Sequence, residues 1–176
     1  MSPNEAERLL DMTGSLRDHV MLSLGYGCGL RAGEIVRLRA GDIDSAQMII
    51  RIVQSKGRKD RHVMLPPELL VSLREWWKLR PTRFDADMSA RERWLFPGRQ
   101  KRQHLTYRQL SRIFHEAAAA AGITKRVSLH SLRHSFATEL LSDEMEAASA
   151  WFDSLPRFRR RRCFGRLRRG KAPVDG

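Results

Sequence analysis

A mainly helical domain with one small antiparallel β-sheet, an α+β class, is what this sequence predicts. Three observations carry the expectation. Apolar residues recur three and four apart along most of the chain, the spacing of a helix with one buried face. The period changes to strand-like in one place only, residues 48–53 (MIIRIV) and 62–65 (HVML). Glycines at 25–29, 41 and 122 and prolines at helix starts punctuate these segments. With 176 residues, 41% of them apolar, the chain can close one core but not two large ones.

The elements follow in order. Ser2-Pro3-Asn4-Glu5 reads as a helix start, with serine at the cap, proline in the first turn and glutamate three residues on. Ala6, Leu9 and Leu10 give that helix its apolar face. Ser15 and Asp18 start a second helix the same way, with Leu16, Val20, Met21 and Leu24 as its buried stripe. It ends in Gly25-Tyr26-Gly27-Cys28-Gly29, where three glycines break it. Arg31 opens a short helix, RAGEIVRL, whose Ile35 and Leu38 face inward, and Gly41 stops it. The two β-branched runs flank a polar connection, Gln54 to Arg61, and predict a hairpin. Pro66-Pro67-Glu68 starts a helix through Leu73, Trp76 and Trp77 to about Leu79. Residues 80–104, with their prolines, charges and a WLFPG stretch, read as loop. Thr106 caps a helix to about Ala121, ended by Gly122. A last amphipathic helix runs from His130 to about Leu141, with Leu132, Phe136 and Leu140 on one face.

Composition narrows the function. No run of about 18 uninterrupted apolar residues exists, so no membrane span is expected. The N-terminus lacks the basic-then-apolar pattern of a secretory leader. Cys28 and Cys163 stand far apart and outside any C-x-x-C pair, which fits a reduced, cytoplasmic protein. The formal charge of +13 points to a polyanionic partner, most often nucleic acid. Eight arginines, one lysine and one aspartate in residues 156–176 supply +8 of that total, so the remainder is only moderately basic, at +5.

Four basic side chains then stand out. Arg31 follows a glycine-rich turn at a helix start. Lys56 sits on the hairpin connection. His130 and Arg133 are one helical turn apart and share a face. A guanidinium fork matches two phosphate oxygens, and an ammonium can protonate a leaving alkoxide. A histidine within reach exchanges protons near neutral pH. Each signal is weak alone. An arginine at a helix start is usually solvated or paired, and Glu34 is a ready partner; Lys-Gly is ordinary turn chemistry. His130 and His134 have the spacing of zinc ligands, but H-S-L-R-H lacks the glutamate of the metalloprotease helix, and no metal is expected.

The order of the flanking words is more specific. YGCGLRAGEIVRLRAGDID, SKGRKDRHVMLP, WLFPG and HSLRHSFATELL closely resemble the successive motifs of the tyrosine recombinases, the phage integrase family, across roughly residues 2–141. The resemblance implies a mainly helical catalytic domain with a small sheet, acting on double-stranded DNA without metal or nucleotide cofactor. It implies a tyrosine that attacks the scissile phosphate to give a 3′-phosphotyrosyl link, and recombinase protomers that assemble as a tetramer on DNA. By similarity, Arg31 and Arg133 bind the non-bridging oxygens, Lys56 is the general acid, and His130 assists proton transfer from the tyrosine. Glu34 holds the first arginine in place, and His134 supports the site.

The pattern stops after Leu141. The family's Leu-Gly-His word and following tyrosine are absent, and the only tyrosines are Tyr26 and Tyr107, neither in the nucleophile's place. Residues 1–141 therefore read as an incomplete catalytic domain and 142–176 as a non-homologous basic tail, disordered by composition. The change near codons 142–145 suggests a frameshift or junction in GC-rich coding DNA. The expected N-terminal DNA-clamping domain is also missing from the sequence. The expectations are a recombinase domain without its own nucleophile or, alternatively, a DNA-binding fragment that modulates an intact recombinase. Loss of the covering helices should leave Leu132, Phe136 and Leu140 partly exposed.

Overall fold

The computed structural model describes residues 1–55 and 59–133. Their order is α1 (Pro3–Asp11), α2 (Leu16–Gly27), α3 (Ala32–Val36), a 3-10 turn (Ala40–Asp42), β1 (Ile43–Asp44), β2 (Ile49–Ser55), β3 (Lys59–Met64), α4 (Pro67–Leu79) and α5 (Tyr107–Ala120). Residues 129–133 begin a further helical segment. The α+β class expected from the sequence is what the chain adopts.

The caps decide the helix starts. Ser2 Oγ accepts from the Glu5 amide at 3.3 Å while the Glu5 carboxylate accepts from the Ser2 amide at 2.8 Å. These bonds satisfy two of the donors that a helix N-terminus leaves orphaned. Ser15 Oγ accepts from the Asp18 amide at the start of α2. Thr106 Oγ1 accepts from the Gln109 amide, with Gln109 reciprocating, at the start of α5. The stop of α5 is Gly122, at φ +68°, a left-handed conformation that glycine enters without steric penalty.

The sheet has three strands in the order β1-β2-β3, all antiparallel. The sequence led us to expect two. β1 is only Ile43–Asp44, too short to show a period. β2 and β3 pair Ile50 with Val63 and Ile52 with Arg61, with an irregularity between Ile52 and Ser55. Ile50 and Ile52 are buried while Arg51 and Val53 face water, the alternation of a half-buried strand.

One core joins the elements, built from α2 (Val20, Met21, Leu24), α3 (Ile35), β2 (Ile50, Ile52), α4 (Leu69, Leu73, Trp76) and α5 (Leu110, Phe114). The helix opened by Arg31 ends at Val36, before the Leu38 end expected from its apolar spacing, although Leu38 is still buried. Residues 80–104 form turns with two isolated bridges, Arg39 with Trp94 and Pro97 with His104. This segment is pinned nonetheless. The Trp76 indole N–H donates to the Leu95 carbonyl at 2.8 Å, and the Leu95 amide donates to the Leu38 carbonyl at 2.9 Å. Gly41 lets the two chains close: a Cβ there would lie 2.8 Å from the Arg91 carbonyl oxygen. Arg80 and Asp85 form a bidentate pair at 3.0 and 3.2 Å, each side chain 1% exposed. The Arg80 guanidinium lies 4.2 Å from the Trp77 ring centroid.

The expectation of a partly exposed Leu132 is corrected. Leu132 is fully buried. A Cβ placed on Gly25 would stand 3.5 Å from Leu132 Cδ2 and 3.6 Å from Ile35 Cδ1. The bare backbone of α2 therefore leaves a seat in which Leu132 and Ile35 meet. Phe136 and Leu140 lie outside the described residues.

Candidate functional site

Arg31 is the N-cap of α3, in extended conformation. Its backbone N–H donates to Glu34 Oε2 at 2.8 Å and its Nη1 donates to Glu34 Oε1 at 3.0 Å. Glu34 thus closes the helix start and orients the guanidinium with the same carboxylate. This follows from its position three residues into the helix, where a side chain reaches back over the first turn. Glu34 is 9% exposed, so its charge is held by hydrogen bonds rather than by water.

A second arginine shares that carboxylate. Arg61 Nη2 on β3 donates to Glu34 Oε2 at 2.7 Å. The strand register explains the reach. Arg61 lies opposite buried Ile52 and two residues from half-buried Val63, so it projects to the core side of the sheet, toward α3.

Arg133 arrives from the other end of the chain. Ser128 accepts the amides of Ser131 and Leu132 at 2.8 and 3.3 Å, which starts the helical turn, and Leu132 seats it against α2. Arg133 is half-buried beside the other two arginines. Burial foremost, then the charges of Arg31 and Arg61, pull its guanidinium below the ordinary arginine value, while Glu34 opposes the shift. An arginine stays protonated through such a shift. Arg133 thus adds a third cation within electrostatic reach of the Arg31–Glu34–Arg61 cluster, a cradle with positive charge in excess.

His130 lies one turn before Arg133 and is exposed. The structure therefore brings together Arg31, Glu34 and Arg133 of the residues singled out from the sequence, with His130 on the adjoining turn. Lys56, on the connection between β2 and β3, and His134 lie outside the described residues. Arg61 was missed because residues 54–61 were read as connection. The signal was available, since Arg61, Val63 and Leu65 alternate with Asp60, His62 and Met64, which puts Arg61 on the apolar face of a longer strand.

Such a cradle can hold a phosphodiester by its two non-bridging oxygens. Half-buried arginines give up less hydration than a fully exposed pair and lose less of their attraction to solvent screening.

The model of the phage integrase family matches residues 1–150. The chain belongs to the phage integrase family. Among its relatives is y4qK of Sinorhizobium fredii, a protein classed with the integrase/recombinases, 39% identical over 142 residues that cover 80% of this chain and 43% of the relative. Among solved structures, the XerA recombinase superposes with a TM-score of 0.66 at 30% identity, over 80% of this chain and 50% of that one. The XerH site-specific recombinase, bound to its palindromic difH substrate after cleavage, superposes with a TM-score of 0.65 at 26% identity, over 80% of this chain and 41% of that one. The chain spans about half the length of these relatives. Its likeness to recombinase structures confirms the helix-rich domain with a small sheet that the motifs imply. Among the described residues, no helix is long and apolar enough to cross a membrane.

Proposed function

We propose that this chain is a DNA-binding recombinase domain whose phosphate cradle is assembled but whose nucleophile is not among its own residues. The Arg31–Glu34–Arg61 ion-pair cluster, with half-buried Arg133 lowered first by burial and then by the charges of Arg31 and Arg61, is the observation that supports it. Arg31 and Arg133 grip the non-bridging oxygens of the scissile phosphate and stabilise the charge that grows as phosphorus becomes pentavalent. Lys56 protonates the leaving 5′-oxygen as the P–O5′ bond breaks. His130 takes the proton of an attacking tyrosine as the new P–O bond forms, and His134 supports it. The partner is double-stranded DNA, and other recombinase protomers join on it.

The sequence holds two tyrosines. Tyr26 is half-buried in α2 and Tyr107 is exposed at the start of α5, and neither follows Arg133. A second reading rests on this: the chain occupies recombination sites, or joins an intact recombinase's assembly, and alters its output without cutting. In both readings residues 1–141 form the domain and 142–176 are read as a basic tail; the family match runs on to residue 150, so the different origin is proposed for the arginine-rich residues beyond it. Translation of the coding DNA from codon 130 in all three frames tests that boundary. A Leu-Gly-His word and a tyrosine in another frame identify a frameshift.

A nicked suicide duplex, from which the cleaved strand diffuses away, tests the function. The expected result is a salt-sensitive mobility shift with no covalent adduct on a denaturing gel. An adduct formed by this chain alone would overturn the missing-nucleophile reading and direct attention to Tyr26 or Tyr107. Absence of any shift would overturn DNA binding itself.

A further inference from the structure

The cradle holds an arginine that its chemistry, as set out above, does not use. Glu34 poses a problem for a phosphate clamp. It is needed to orient Arg31, yet a carboxylate beside two clamp arginines cancels half their charge and repels the approaching anion. Arg61 resolves the conflict by position. Its Nη2 lies 2.7 Å from Glu34 Oε2, while Arg31 Nη1 uses the other oxygen at 3.0 Å. The Glu34 side chain is 7% exposed and that of Arg61 27%, so the pair is only partly screened by water. Arg61 also comes from a different element, β3, and its inward projection is set by the register opposite Ile52. A charged side chain on the core side of a sheet is uncommon unless it meets a partner, and this one meets Glu34.

We infer that Arg61 is a positioning residue, the counter-ion of Glu34, which lets that carboxylate orient Arg31 without discharging the clamp. The inference rests on the reading of the site as a DNA phosphate cradle. With Arg61 present, three arginines and one glutamate leave a local charge of +2 for the phosphate. Without it, +1 remains.

The test uses the full chain and a short fluorescein-labelled DNA duplex, with anisotropy titrations between about 50 and 200 mM salt. Arg61→Met should weaken binding about tenfold and lower the slope of log affinity against log salt by about 1. Arg61→Lys should stay close to wild type. The double variant Glu34→Gln, Arg61→Met restores the +2 balance and should recover the wild-type slope. Thermal melting of each variant is recorded alongside, and Arg61→Gln replaces the methionine variant if the latter does not fold. A purely structural role would shift melting but leave the slopes unchanged, and this result overturns the inference. A double variant with the reduced slope of Arg61→Met also overturns it, because Arg61 would then contact the phosphate itself. Arg133→Met separates the two levels of the argument. If it weakens binding and Arg61→Met does not, only the inference fails; if neither matters, the cradle reading fails.

Discussion

Leu132 carries the mechanical link between core and cradle, and Leu132→Ala measures it. The side chain is fully buried and meets the seat formed by Gly25 on α2 and Ile35 on α3. Removing its branched end loses the transfer energy of the deleted carbons and leaves a void that two separate elements must collapse to fill. Buried leucine truncations cost about 3–5 kcal/mol, and the lower end suits a site near a helix end that can relax. With a denaturant slope of about 2 kcal/mol per molar urea for a domain of this size, a loss of about 3 kcal/mol lowers the unfolding midpoint by about 1.5 M. Trp76, packed in the same core, serves as the fluorescent reporter. Leu132→Met, which conserves volume, should cost less than about 1.5 kcal/mol. Because Arg133 follows directly, the alanine variant should also weaken duplex binding under conditions where it remains folded. A loss below about 1 kcal/mol with an unchanged slope would show that Leu132 is not seated as described, and the account of how Arg133 reaches Arg31 would fall with it.

Two further outcomes are expected. Asp85→Ala leaves Arg80 buried and unpaired, stacked on Trp77, and should cost about 3–5 kcal/mol in urea unfolding, whereas the apolar pair Arg80→Met, Asp85→Leu should be near neutral; equal losses in both variants would contradict the buried-pair account. The hydrogen bond from Lys125, then that from the Ser2 amide, hold the Glu5 carboxyl down to about 2 from an ordinary 4.5. A depressed carboxylate stabilises the folded state above its unfolded value and loses that contribution as pH falls from about 4.5 toward 2. Lys125→Ala should return the Glu5 titration, followed by carboxyl NMR, toward 4.5, and an unmoved titration would show that Lys125 is not its main partner.

The helix starts were legible because capping is local. Ser2, Ser15 and Thr106 sit with their partners three residues away, and that spacing is written in the chain. Arg31, Glu34 and Arg133 were singled out through the words around them, and the Arg31–Glu34 pairing was foreshadowed by their spacing of three. Three features were not. β1 has two residues and exists only through its pairing with Ile49 and Ile50. The inward face of Arg61 could be read from the alternation of residues 60–65, but its meeting with Glu34 needed the pairing of β3 with β2. The burial of Leu132 depended on a gap over Gly25, a property of packed elements rather than of any one segment. The long segment 80–104 was rightly read as loop, but composition could not show how firmly Trp76, Asp85 and Gly41 fix it.

The cradle's members sit at positions 31, 34, 61 and 133, so the first and the last are 102 positions apart. A contact this distant in sequence closes a long loop and is entropically late to form. During synthesis, which proceeds from the N-terminus, α1, α2, α3 and the sheet can fold while Arg133 is still unmade. The nascent protein then holds Arg31 with Glu34 and Arg61 but only half of its grip on a phosphate. On the phosphate-cradle reading proposed above, the grip is completed in one step, when the turn carrying Leu132 docks and adds Arg133 to the three residues already in place.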